Sequence, residues 1–322
     1  YSGGEAGSPI IALRALKDHA AKGRITAEVV FLFVENEPAR IQNLERLIDL
    51  ERPGLPAGTS VHVVSGKFDE TITTMLDGLE GKGHQLAPSF LMADPFGVSD
   101  TPMAVIERLL RNDKSEVYVS FMYEAINRFK TTDEFAPHLD ALFGCQDWRN
   151  GIGITDRKAK KQFFFALYRE RLKAAGAKHV VYFELYKENR LVYAIFFGSK
   201  HSLGCDRMKQ AIWKVAPFGD YTFRGSRTSQ LGLEVGGADL DQFGRELIAA
   251  FGTAGWIGVE DVEEFSRSDR TDFHSSHWKS TLKKLEQRGL LEGDPSSRNR
   301  PRTYPPGTRV RFSASVGAAS SP

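Results

Sequence analysis

Four apolar runs of strand length recur in the first 121 residues, and a helical pattern fills each gap between them. The runs are EVVFLFVE (28–35), SVHVVSG (60–66), PSFLMAD (88–94) and SEVYVSF (115–121). Between them stand EPARIQNLERLIDLE, DETITTMLDGLEG and TPMAVIERLLRN. A run that is apolar at consecutive positions suits a strand buried on both faces, as in a parallel sheet. Parallel neighbours joined through helices cross over right-handed. The rhythm therefore predicts an α/β fold with a doubly wound sheet. At the front, SPIIALRALKDHAAKG (8–23) predicts a helix with Ser8 as cap, Pro9 in its first turn and Gly23 as its stop. Thr101 is expected to cap the helix that precedes the fourth run, with Pro102 behind it.

Further along, TDRKAKKQFFFALYRERLKAAG (155–176) predicts a long helix. Two strand runs then flank Lys187-Glu188-Asn189 and predict an antiparallel hairpin. An α/β sheet closed by such a hairpin is the ending expected of a class I methyltransferase sheet. The Gly-rich stretch 219–238 reads as a connection, narrowed to a linker at 226–238. Beyond it, LDQFGRELIAAFG, GVEDVEEFSR and DFHSSHWKSTLKKLEQRGLLEG predict three helices, the last stopping at Gly289. A basic loop and a short strand follow. Three helices and then strand, loop and strand is the order of a winged helix. The expected division is 1–225 for the α/β domain, 239–312 for the winged helix and 313–322 for a disordered tail.

A length of 322 residues suits two domains. No apolar run approaches the roughly 20 residues of a membrane span, so no membrane partner is expected. No basic start followed by an apolar stretch marks a signal peptide. Cys145 and Cys205 stand far apart, which predicts a reduced, cytoplasmic setting rather than a disulfide framework. The net charge of +2 hides an asymmetry. Residues 1–150 hold 15 basic and 22 acidic side chains, whereas residues 151–322 hold 28 and 19. A basic half suggests a polyanion partner, although a solvated face has the same composition.

Candidate chemistry gathers at the carboxyl ends of the strands, where open α/β sheets bind ligands. Glu35 ends the first run. Its two acceptor oxygens suit the ribose hydroxyls of a nucleotide-like cofactor; alternatively it favours the dipole of the next helix. Ser65-Gly66-Lys67-Phe68 ends the second run, with Gly66 and Phe68 placed to touch a cofactor, or forming only a turn. Asp94-Pro95-Phe96-Gly97 ends the third. Asp94 could orient an amine or contact a cofactor together with Pro95, and Phe96 could stack on a target base. The plain alternative is a turn that Pro95 stiffens. Glu124 and Arg128 are spaced for a surface ion pair. Residues 273–312 carry nine basic and three acidic side chains. There Lys279, Lys283 and Lys284 on the third helix, with Arg298, Arg300 and Arg302 on the loop, suit phosphate contacts to DNA or RNA. Winged helices also serve as protein-binding modules. No metal-binding motif appears, and His274 and His277 lack a third ligand in the sequence.

The stretches GEAGSPIIAL (4–13), VVFLFVENEPAR (29–40), ADPFG (93–97), FMYEAINRF (121–129) and FFGSKHSLGCDRMKQAIWKV (196–215), with the C-terminal winged helix, resemble the three-Cys-motif partner proteins of bacteria. The resemblance spans nearly the whole chain. It implies a class I S-adenosylmethionine-dependent methyltransferase-like fold and a partner that is itself similar to radical-SAM proteins. It also implies a first strand and glycine loop upstream of Tyr1, so the chain is expected to be an N-terminal truncation. Two functions follow. One is a nucleic-acid methyltransferase. The other is a non-catalytic binding or regulatory protein that keeps the fold; the changed Asp-Pro-Phe-Gly and the lysine at 67 point that way.

Overall fold

The computed structural model describes residues 6–95, 101–188, 190–216, 221–223 and 238–313. The chain is mixed α/β and forms two compact units, Tyr1–Gln85 and Leu86–Pro322.

The first unit runs α1 (Ser8–Asp18), β1 (Val29–Glu35), α2 (Pro38–Glu51), β2 (Thr59–Ser65) and α3 (Phe68–Glu80). β1 and β2 pair in parallel from Val29 opposite Thr59 to Glu35 opposite Ser65. Ile10, Leu13, Ile48 and Val61 make a small core, with Phe31, Phe33 and Leu44 packed on it. Arg14 and Lys17 of α1 donate to Glu51 of α2 at 2.7 and 3.0 Å, which fastens the two helices together. Ser8 does not cap α1. The cap position falls to Gly7, with no side-chain hydrogen bond, and Ser8 is the first helical residue. The helix also stops at Asp18, short of Gly23.

In the second unit the strands are β3 (Ser89–Ala93), β4 (Ser115–Phe121), β5 (His179–Lys187), β6 (Arg190–Ser199) and β7 (Thr222–Phe223), in the order β3-β4-β6-β5-β7. β3 and β4 are parallel, and β6 runs antiparallel to β4 and β5. The hairpin is thus present, with Glu188 at φ 51° in its turn. The single sheet expected from the rhythm is instead two, a parallel pair and a mixed sheet of five. Among the described residues, β1 pairs only with β2 and β3 only with β4, so each leaves one edge without a strand.

One face of the larger sheet carries an aromatic core. Phe121 of β4 and Phe196 of β6 meet Phe165 and Tyr168 of α7 (Arg157–Ala174), with Phe143 of α6 (Ala136–Phe143) beside them. Each ring taken fully from water is worth roughly 1.5–3 kcal/mol. The helix before β4 is α4 (Met103–Leu110), with α5 (Tyr123–Phe129) after it. Thr101 does not cap α4; Pro102 occupies the cap position, and the Thr101 hydroxyl is buried without a partner.

On the other face lies α8 (Ser202–Val215), which shares one core with the C-terminal elements. These are α9 (Leu240–Phe251), β8 (Trp256–Gly258), α10 (Val259–Arg267), α11 (Trp278–Gln287), β9 (Leu291–Gly293) and β10 (Arg309–Phe312). β10 pairs antiparallel with both β8 and β9. Cys205, Ile212 and Trp213 of α8 pack with Phe243, Val262, Phe265, Phe273 and Leu282. The expected linker at 226–238 and the tail beyond 313 lie outside the described residues, apart from Ala238.

α11 is shorter than the pattern suggested, because residues 268–277 are a loop with other work. Four of its neighbourhood's carbonyls, those of Ser266, Ser268, Thr271 and Phe273, accept from the ammonium of Lys209 at 2.6–3.1 Å. Lys209 is fully buried on α8. Asp269 accepts from Arg169 at 2.9 Å and from the Val180 amide at 3.1 Å, and pairs with Lys173 at 3.0 Å. Trp213 and Tyr221 both donate to the Asp272 carbonyl, and Asp206 accepts the amide and hydroxyl of Ser275.

Candidate functional site

The carboxyl ends of β1 and β2 hold the first group of expected site residues. Glu35 Oε1 accepts the backbone N–H groups of Asn36 and Glu37 at 2.9 and 3.1 Å, and Oε2 lies 4.0 Å from Arg40. The carboxylate therefore shapes the turn into α2, as the helix-dipole alternative requires. Gly66 donates its N–H to the Glu35 carbonyl at 3.1 Å. A Cβ on Gly66 would come within 2.9 Å of the Thr71 hydroxyl, so the close turn selects glycine. Phe68 opens α3 and is half-buried. Lys67 faces Glu70 at 3.4 Å and is well exposed.

In the second unit, Asp94 and Pro95 follow β3 directly; Asp94 is exposed and Pro95 half-buried. Phe96 and Gly97 lie outside the described residues. The Asp94 charge reaches Tyr118 of β4. Burial first, then Tyr193 and Asp94, push the Tyr118 phenol up from its ordinary value. At the carboxyl end of β5 stands a cluster that the sequence pattern did not single out. Lys161 donates to Glu184 at 2.6 Å and to Tyr186 at 3.2 Å, and the Tyr186 hydroxyl donates to Glu184 at 2.5 Å. Glu184 and Tyr186 are two apart on a strand and so share a face. That spacing was the available signal. Glu124 and Arg128 do not form the expected ion pair among the described residues; the Arg128 guanidinium lies 5.9 Å from the Phe129 ring.

The strongest concentration of chemistry is C-terminal. A cleft of about 530 Å³ opens between α11 and the loop 294–308, lined by Lys279, Lys283, Asn299, Arg300, Arg302 and Thr303, with Ser280, Tyr304 and Pro305. No acidic residue lines it. Lys279, Lys283, Arg300 and Arg302 are exposed and form no ion pair among the described residues. Two of the six expected phosphate contacts have other partners. Lys284 pairs with Asp241 of α9 at 2.8 Å. Arg298 folds inward and donates twice to Glu286 of α11, at 2.8 and 2.5 Å, with its side chain only 6% exposed. Tyr304 completes this contact by donating to Glu286 at 2.6 Å. The Arg298 hydrogen bonds, chiefly, hold the Glu286 carboxyl below its ordinary range against the opposing effect of burial. A Cβ on Gly293 would meet the Arg298 guanidinium at 2.3 Å, so the pair requires glycine there.

His274 and His277 lie with ring centroids 3.9 Å apart, tilted by 44°, beside Trp213. Burial, and then His274, pull His277 down to about 4. No group of three or more potential metal ligands occurs among the described residues. Burial pushes the Cys205 thiol up to about 12. A second concavity of about 710 Å³ lies beside β3 and α8, with Phe90, Phe197, Leu203 and Met208 in its lining. No helix of the described residues is long and apolar enough to cross a membrane. In comparisons with known proteins, no family model, no curated protein and no solved structure matches the chain.

Proposed function

We propose that this chain binds nucleic acid through the cleft between α11 and the loop 294–308, and that the rest of it is a methyltransferase-like body. One observation carries the reading: Lys279, Lys283, Arg300 and Arg302 line a single concavity that has no acid in its lining. Exposed cations that form no ion pair keep their attraction for phosphate, and their counterion release favours a polyanion; the Lys279 ammonium, 5.1 Å from the Trp278 ring, is still exposed. The element order α9-β8-α10-α11-β9-loop-β10 supports a winged-helix reading, in which α11 would serve as the recognition helix. Four of the nine lining residues are cationic, which favours a polyanion over an apolar partner surface.

The catalytic part of the reading rests on the resemblance to three-Cys-motif partner proteins. It assigns Glu35, Gly66, Phe68, Asp94 and Pro95 to S-adenosylmethionine, and Asp94 with Phe96 to the target group. When bound, that cofactor supplies a methyl group ready for transfer. The protein's share would be alignment of the acceptor. Glu35 fits only in part, since one of its oxygens is already taken by two backbone donors. That observation favours the second reading, a non-catalytic nucleic-acid-binding partner of a three-Cys-motif protein that keeps the fold.

Two measurements test these readings. Nucleic-acid affinity followed against salt should fall steeply, and replacing Lys279 and Lys283 by Gln should flatten the logarithmic slope by about 2. A slope that does not move would remove the cleft from the interface. Calorimetric titration of S-adenosylmethionine should show binding that Glu35→Ala weakens about tenfold, of the order of 1.4 kcal/mol. Binding unchanged by Glu35→Ala leaves that residue to its turn.

A further inference from the structure

We propose that the cleft takes B-form duplex DNA in preference to single strands, and that the contact of Arg298 and Tyr304 with Glu286 is the latch that holds it ready for a duplex. This rests on the nucleic-acid reading above and says which nucleic acid and why.

The first argument is what the cleft lacks. Sequence-tolerant single-strand binders stack bases on exposed aromatic faces beside a basic groove. Here the aromatic rings next to the cations are spent inside the protein. Trp278 is 4% exposed and Tyr304 5%. What remains is hydrogen-bond donors for phosphate oxygens. A duplex presents its phosphates outward and its bases inward, so it needs no stacking platform.

The second argument is the shape of α11. Its ten residues make a rod of roughly 15 Å. Trp278, Thr281, Leu282 and Leu285 face the core. Lys279, Ser280, Lys283 and Gln287 are exposed, and all are polar. The major groove of B-DNA is about 12 Å wide and admits a helix. The corresponding groove of A-form RNA is deep and narrow and does not.

The third argument is rigidity. The loop 294–308 is tied to α11 through Glu286, which accepts from Arg298 and Tyr304. Its far end is held by Glu260, which accepts the Gly307 amide at 2.6 Å. Arg302 sits at φ 57°, a left-handed conformation that its tethered neighbours maintain. The backbone that carries Arg300 and Arg302 is therefore set before any ligand arrives, which lowers the ordering cost at binding. A basic loop fixed against a basic helix suits a stiff ligand. A flexible strand gains nothing from it. Arg298 and Glu286 are positioning residues, since they touch each other rather than the ligand, and Tyr304 joins them while also lining the cleft.

The test is fluorescence anisotropy of the full chain with three 20-mers of one sequence: duplex DNA, single-stranded DNA and duplex RNA. Duplex DNA should bind at least about tenfold more tightly than either of the others, with a salt slope near −3.6 for four phosphates. Tyr304→Phe keeps the ring and the ion pair and removes one hydrogen bond. It should fold normally and lower duplex affinity about threefold, with single-strand affinity unchanged. Arg298→Met should abolish the preference for the duplex. Absence of binding to all three at low salt overturns the nucleic-acid reading itself. Binding with single strands or duplex RNA equal to or tighter than duplex DNA overturns this inference and leaves that reading standing. Folded Tyr304→Phe and Arg298→Met proteins that keep the wild-type preference overturn the latch.

Discussion

Two loops flank α11, and both carry buried charge, yet they use it differently. The loop 268–277 before the helix is gripped from α7, α8, β5 and Tyr221. Asp269 and the surrounding carbonyls meet partners some 60 to 100 residues away in sequence, and those partners are consumed in holding it. The loop 294–308 after the helix is fastened by one buried arginine and neighbours close in sequence, and it leaves Arg300 and Arg302 to solvent. The first loop spends its charges on the fold. The second spends one arginine so that two others stand where a ligand can use them. A charge count does not distinguish these uses; the number of partners already met does.

The comparison breaks most visibly at Asp269. Asp269→Ala leaves Arg169, Lys173 and the Val180 amide without their acceptor, and should cost about 3–5 kcal/mol, read as a lower melting temperature. Lys209→Met should follow, at about 2–3 kcal/mol. It removes a costly buried charge, yet leaves four carbonyls short of a donor.

Acid separates the two loops by pH. His277 titrates near 4 in the folded chain against about 6.5 when unfolded. The unfolded state therefore binds more protons between those values, and stability declines as pH falls from 6.5 to 4. The expected loss is about 1–3 kcal/mol, and His277→Gln should remove most of that slope. Below about 4 a second loss sets in. Burial works against the Asp269 charge, but His179 close by, with Arg169, the Val180 amide and Lys173, holds its carboxyl well below the ordinary range. Its stabilisation is present above its unfolded value and is lost as the acid range deepens. The loop 294–308 has no histidine, so the Glu286 contact responds only in that second range. Denaturation of wild type and His277→Gln from pH 7 to 3 measures both steps.

The smallest effect on stability sharpens the contrast furthest. Arg300→Ala with Arg302→Ala should shift stability by less than about 0.5 kcal/mol, as expected of exposed, unpaired side chains. The same pair should reduce the salt slope of duplex binding by about 2. A large stability loss would mean that the second loop, too, spends these charges on the fold.

Much of the local structure was legible in the sequence. The apolar runs at 28–35, 60–66, 88–94 and 115–121 are strands to within a residue or two, and the hairpin turns at Lys187-Glu188. Gly289, at φ 70°, does stop α11. What escaped was set by distance. The pattern from Asp272 onward looked helical, but Asp206, Trp213 and Tyr221 claim residues 272–275, and the helix begins at Trp278. Arg298, Arg300 and Arg302 alternate identically along the chain, so spacing could not show that only the first turns inward. Its one trace is Gly293, which leaves room for the guanidinium. For Glu35 the residues left two readings open, a ribose acceptor and an acid at the start of the next helix; its bonds to the Asn36 and Glu37 amides accord with the second.

Domain shuffling works where a module carries its own supports. The segment near residue 230 has the composition of a linker, and a gene break there would look harmless. It would nevertheless separate Lys209 from the four carbonyls it serves and Asp269 from Arg169 and Lys173. The C-terminal elements thus draw part of their support from α7 and α8, and would leave it behind if moved as a cassette.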